Sequence, residues 1–250
     1  MKLSTIESVC AAGVLKLAMG MFALGLGGCR SDAPGSVDPS NPGPSSSVAS
    51  KWIELQPGLT ICPEDRAVEI EAEICLDSGW LEQVMCGPGT REHESIMVTA
   101  VSPSAVHAAL LAVGMQSGSP GLWTQSDGEI IETPPTGSVV DVLVAVDGSD
   151  EWSSVNSWIE GDSGRPLEGE WVFGGSFMRA VDEVPSGYSR YEADLSGSIV
   201  GLVTFGDETI GLSRVIPDQV AIEPAEWKIR EGSVPAIGSS IRVRIRSADR

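Results

Sequence analysis

The chain has 250 residues and a formal net charge of −19. That length admits one or two domains, and so acidic a balance repels nucleic acid and anionic membrane surfaces, leaving cationic ligands, divalent cations or plain solubility as its uses. A hydrophobic share of 42% is enough for a core, while 29 Gly and 16 Pro favour turns and short strands over long helices.

Residues 1–28 read as a secretory signal. Lys2 and Lys16 supply positive charge, and the apolar run Leu17–Gly28 is too short to span a bilayer, which takes about 20 residues. The run ends in Leu26-Gly27-Gly28-Cys29, which looks like a bacterial lipobox. There small residues admit the peptidase and the Cys29 thiol carries the lipid. An ordinary signal peptide with a chance cysteine is the alternative. Arg30 after the cysteine, rather than Asp, favours the outer membrane of a two-membrane envelope, facing the periplasm or the cell surface. Residues 29–50, rich in Ser, Pro and Gly, cannot bury a core and form a flexible linker, spanning about 25 Å for about 20 residues.

The folded domain is assigned to residues 51–250. Val68–Leu76 alternates apolar and acidic residues, the pattern of a half-buried strand. Asp77-Ser78-Gly79 turns the chain and Leu81–Cys86 returns, which predicts a hairpin. In the oxidising compartment implied by export, that hairpin sets Cys75 opposite Cys86 and predicts a disulfide between them, with Cys62 odd. Three reduced, buried thiols are the alternative. No C-x-x-C pair occurs, which removes a thioredoxin-type site and a cysteine zinc knuckle.

Gly87–Thr90 is a turn, Arg91–Ser95 a charged run and Ile96–Val101 a strand. Ser102 then suits a helix N-cap, Pro103 the first turn, and Val106, Ala109, Leu110 and Val113 one apolar stripe closed by Gly114. A helix over about 103–113 follows. Residues 118–137 read as a long loop. Val139–Val146, Trp171–Met178, Ser198–Phe205 and Ile241–Arg246 read as strands, the second carrying glycines that suggest close backbone approach. The fold class is α+β, a single mostly-β domain with one principal helix.

Thr90–Gly114, with its charged run through His93 and its helix through His107, resembles the signature block of the YdjY-like domain family, bacterial proteins of planctomycete type that are often exported. Weaker matches follow in order at Arg165-Pro166-Leu167 into Trp171–Ser176, at Tyr191–Asp194 into Ser198–Phe205, and at Pro235–Gly238. The resemblance covers roughly Trp52–Arg246 and implies no known activity. Some relatives carry a ferredoxin-like label, but this chain lacks the clustered cysteines of an iron–sulfur site.

Three constellations bear chemistry. Glu92, His93, Glu94, His107 and Asp194 offer imidazoles and carboxylates for acid–base work or for a divalent metal, the one cofactor considered. Their spacing follows no established motif, and His107 lies at the flank of the helix stripe, where a packed or capping role competes. Gly161-Asp162-Ser163-Gly164 resembles a serine-protease nucleophile segment, and His107, Asp141 and Ser163 follow the order of that triad. Arg165 stands where a glycine is expected, and the gap from His107 to Ser163 is too short for two interleaved barrels. Trp80, Trp123, Trp152, Trp158 and Trp171 form a third candidate, a binding face, unless they are buried. Arg242, Arg244 and Arg246 read as an edge-strand guard or as intramolecular ion pairs. The reading that results is a lipid-anchored binding or assembly module of the envelope, with an envelope enzyme using His93 and His107 as the alternative.

Overall fold

The computed structural model describes residues 51–180, 189–219, 221–222 and 226–249. The signal, Cys29 and the linker lie outside them. In chain order the principal elements are β1 (Ile53–Gln56), β2 (Leu59–Cys62), β3 (Ala67–Ile74), β4 (Gln83–Cys86), β5 (Ser95–Val98), α1 (Pro103–Ala112), β6 (Val139–Val146), β7 (Trp171–Val172), α2 (Glu192–Ser196), β8 (Ser198–Gly201), β9 (Ile210–Leu212) and β10 (Ser240–Ser247).

Eight of these strands close into a barrel in the order β3, β10, β6, β7, β9, β8, β4, β5 and back to β3. Closure depends on β3 changing partner along one edge. Its first half pairs with β2, its last two residues pair with Val98 and Met97 of β5, and β10 runs the length of its other edge. A barrel of this size has an interior that side chains fill. Val68, Ile70 and Ile74 of β3, Val140, Val142 and Val144 of β6, and Ile241, Val243 and Ile245 of β10 point inward at period two and are buried. Each contributes about 1.5–3 kcal/mol by leaving water.

The outward residues of the same strands form a charge ladder set by register. Glu69 lies opposite Arg244 and Asp141 opposite Arg246. The Arg244 Nε donates to Glu69 at 2.9 Å and the Arg246 Nε to Asp141 at 3.0 Å. The Arg244 guanidinium also stands 4.0 Å from the Trp152 ring centre and 5.1 Å from that of Trp52. The basic face is therefore a set of intramolecular pairs. The edge-guard reading is corrected, because β10 is paired on both sides.

The helix forms where the sequence predicts it. The Ser102 hydroxyl accepts from the Ala105 amide at 3.3 Å, Pro103 occupies the first turn, and Gly114 takes φ +81° just past the end. Val106, Ala109 and Leu110 are buried against β2, β3 and β8.

Three local readings are corrected. The hairpin over 68–86 does not form: β4 pairs with β5 in parallel and with β8, so Cys75 and Cys86 are not cross-strand partners. Both thiols are free, and so is Cys62. The loop over 118–137 contains two ribbons, Leu122–Ser126 with Glu129–Thr133 and Ser117–Ser119 with Thr136–Gly137. Finally, the strand at Trp171 ends at Val172. Gly174 there packs so closely on the main chain that an added Cβ would lie 2.9 Å from the Pro120 Cα, and the following segment hydrogen-bonds to Thr209 and Glu208.

Candidate functional site

His107 lies on the face of α1 beside its apolar stripe, and the fold builds a cleft against it. Ser104 and Leu111 of α1 form one wall, Gly175–Met178 the other, and Tyr191, at the entry to α2, the floor. The cavity measures about 520 Å³, the size of an ordinary small-molecule pocket. Leu111, Phe177 and Met178 are 46%, 43% and 58% exposed around it.

At its base the His107 Nδ1 lies 2.9 Å from the Tyr191 hydroxyl. That hydroxyl donates to the Gly175 carbonyl at 3.1 Å and lies 3.3 Å from the Thr209 hydroxyl. The imidazole meets the edges of Phe173 and Tyr191, with centroids 4.9 Å and 5.4 Å away. Gly175 makes this fit possible: at φ +86° an added Cβ would stand 2.7 Å from the Ser117 Cβ and 3.0 Å from the His107 Cε1. Burial lowers the His107 pKa, which favours the neutral ring. Burial also pushes the Tyr191 phenol up to about 12, helped by the charge of Asp194. Asp194 itself accepts from the Ser104 amide at 2.8 Å, tying α2 to the first turn of α1.

The other predicted site residues go elsewhere. Glu92, His93 and Glu94 form a short 3₁₀ turn before β5. Glu92 accepts from the Gly89 amide, and main-chain hydrogen bonds hold its carboxyl below the usual range. The His93 side chain is 73% exposed and lies 3.7 Å from Glu94. None of the three is a partner of His107. Among the described residues no three His, Cys, Asp or Glu side chains converge to hold a metal ion. The triad does not assemble either: Asp141 is bound to Arg246, His107 to Tyr191, and Ser163 sits in an exposed turn closed by the Gly164 amide on the Gly161 carbonyl at 2.8 Å. Of the five tryptophans proposed for a binding face, only Trp80 is among the exposed large apolar residues. Trp158 and Trp171 are buried, Trp152 lies under Arg244, and Trp123 donates to Asp218.

Glu82, Cys75 and Cys86 are electrostatically unusual as well. Burial and the neighbouring Glu94 carboxyl push Glu82 up to about 7. The Cys75 and Cys86 thiols interact, which raises Cys75 and lowers Cys86 to about 6. Cys86 is fully buried, so its ionisation is closed to bulk reagents.

Sequence reasoning singled out His107 and Asp194 and missed Tyr191, Phe173, Gly175 and Thr209. The signals were present in part. The paired glycines at 174–175 suggested close backbone approach, and Tyr191 opens one of the blocks matched to the YdjY-like pattern.

No curated protein and no solved structure matches the chain. The family comparison finds the YdjY domain over residues 59–246, which spans β2 through Arg246 of β10 and takes in the closed barrel, both helices and the His107–Tyr191 cleft. The chain belongs to the YdjY domain family.

Proposed function

We propose that the chain is an exported, lipid-anchored module of the bacterial envelope whose folded domain binds a small apolar ligand in the cleft between α1 and residues 175–178. The observation that carries the reading is the cleft: three large apolar side chains left in solvent around one fixed His–Tyr pair. Exposed apolar groups gathered on a concave surface mark a binding site more often than scattered ones do. Binding is favoured over catalysis because the hydroxyl on His107, that of Tyr191, is pushed up to about 12 and, among the described residues, no carboxylate hydrogen-bonds the ring. The alternative, catalysis by His93 and His107 together, lacks an observation that joins the two rings. Export and anchoring rest on the Leu26–Cys29 motif and the apolar run before it.

Two experiments test these claims separately. Nile red, a neutral apolar reporter, should brighten with the full chain and stay dim with a folded Leu111→Asp variant; equal brightening by both places the ligand elsewhere. Cys29→Ser should move the exported protein from the detergent phase to the aqueous phase, and a variant that still enters detergent removes the anchor.

A further inference from the structure

The hydrogen-bond pattern at the base of the cleft bears on which atom His107 offers a ligand. The Gly175 carbonyl can only accept, and the Tyr191 hydroxyl is placed to donate to it, 3.1 Å away. With that proton on Gly175, the Tyr191 oxygen is the acceptor toward His107 and the Nδ1 at 2.9 Å carries the hydrogen. In a neutral imidazole that leaves Nε2 with its lone pair. Nε2 has no hydrogen-bond partner among the described residues, on a ring that is part-exposed and lines the cavity. The T-shaped contacts with Phe173 and Tyr191 hold the ring plane, so the acceptor has a fixed direction.

The surrounding charge selects further. No Lys or Arg lines the cleft among the described residues. The nearby Arg179 is committed to Glu192 at 2.6 Å and stands 5.9 Å from the Phe177 ring centre. Asp194 lies close enough to raise Tyr191, and the chain as a whole carries −19. An anionic head placed on His107 would meet a lone pair, a nearby carboxylate and, among the described residues that line the cleft, no Lys or Arg.

Building on the cleft reading above, we propose that the site takes a neutral or cationic molecule with an apolar body and an N–H or O–H donor at one end, with the donor on His107 Nε2 and the body between Leu111, Phe177 and Met178. The same arrangement disfavours carboxylate and phosphate ligands.

The test uses four probes that share one body: 4-phenylbutanol, 4-phenylbutylamine, the methyl ether of the alcohol, and 4-phenylbutyrate, titrated calorimetrically into the full chain. The alcohol and amine should bind about tenfold tighter than the ether and the carboxylate, the size of one hydrogen bond to a buried acceptor. His107→Phe should erase that discrimination and keep affinity for the body. Independently, the imidazole ¹⁵N spectrum of the free protein should show a protonated Nδ1 and a bare Nε2. A protonated Nε2, or an ether or carboxylate that matches the alcohol, overturns the proposal while leaving the cleft reading intact. Failure of all four probes to bind overturns both.

Discussion

Glu208 shows how far burial can move a single side chain. It is 2% exposed, and its Oε1 accepts from the Phe205 and Gly206 amides. Desolvation outweighs those two donors and pushes its carboxyl up to about 7. The folded state therefore holds a proton that the unfolded chain, with a pKa near 4.5, has released. The stability linked to that proton is full below about pH 4.5 and gone above about pH 7, a difference of about 3 kcal/mol. Glu82, also raised, leans the same way. Glu208→Gln keeps an oxygen for both amides and has no charge to bury. Urea unfolding at about pH 5 and about pH 8 should show the wild type losing stability with rising pH and the variant losing much less. Equal slopes would mean that Glu208 ionises freely in the fold. Neither this carboxyl nor the Tyr191 partner of His107 was legible in the sequence. Glu208 sits in the plain run Gly206–Thr209, and 84 positions separate His107 from Tyr191. Residue types and the helix flank of His107 could be read; which residue would face it depended on a contact between distant segments.

Elements were legible in proportion to how local their causes are. The α1 helix carries its cap, its first-turn proline, its stripe and its glycine stop within thirteen residues, Ser102 to Gly114, and it forms as predicted. Its cap contribution can be measured directly. Ser102→Ala removes the acceptor for the Ala105 amide and should cost about 1 kcal/mol in a urea melt, whereas Ser102→Gly should cost only a few tenths. If Ser102→Ala unfolds together with the wild type, the cap bond contributes nothing. The hairpin over 68–86 failed for the opposite reason. Alternation correctly marked Val68–Ile74 as a half-buried strand, but period two says nothing about which strand lies alongside. Here β5 and β10 take the places that a simple return by β4 would fill. The cysteine pairing loses its premise with it, since it rested on that return, although the two thiols still interact.

At the scale of the whole molecule, closure of the barrel was hidden from the sequence, and the balance of charge was not. The outer faces of β3, β6 and β10 bring arginines against Glu69 and Asp141, yet the chain retains a large acidic excess. These two features respond to salt in opposite directions. Screening weakens the ladder, but Glu69 is only 13% exposed and Arg244 26%, so salt reaches that pair poorly. The unpaired carboxylates are on the surface, and their mutual repulsion in the compact state is felt over distances that about 0.15 M salt, with a Debye length of about 8 Å, largely cuts off. Relief of repulsion should therefore win, and the urea midpoint should rise between low salt and about 0.15 M sodium chloride. Glu69→Gln separates the terms. It removes one surplus negative charge but leaves Arg244, held between Trp52 and Trp152, without its carboxylate. The variant should be less stable than the wild type at both salt concentrations, because an unpaired, half-buried guanidinium costs more than one surface repulsion returns. A midpoint that falls with salt in the wild type would instead make the ladder the dominant electrostatic feature of the fold.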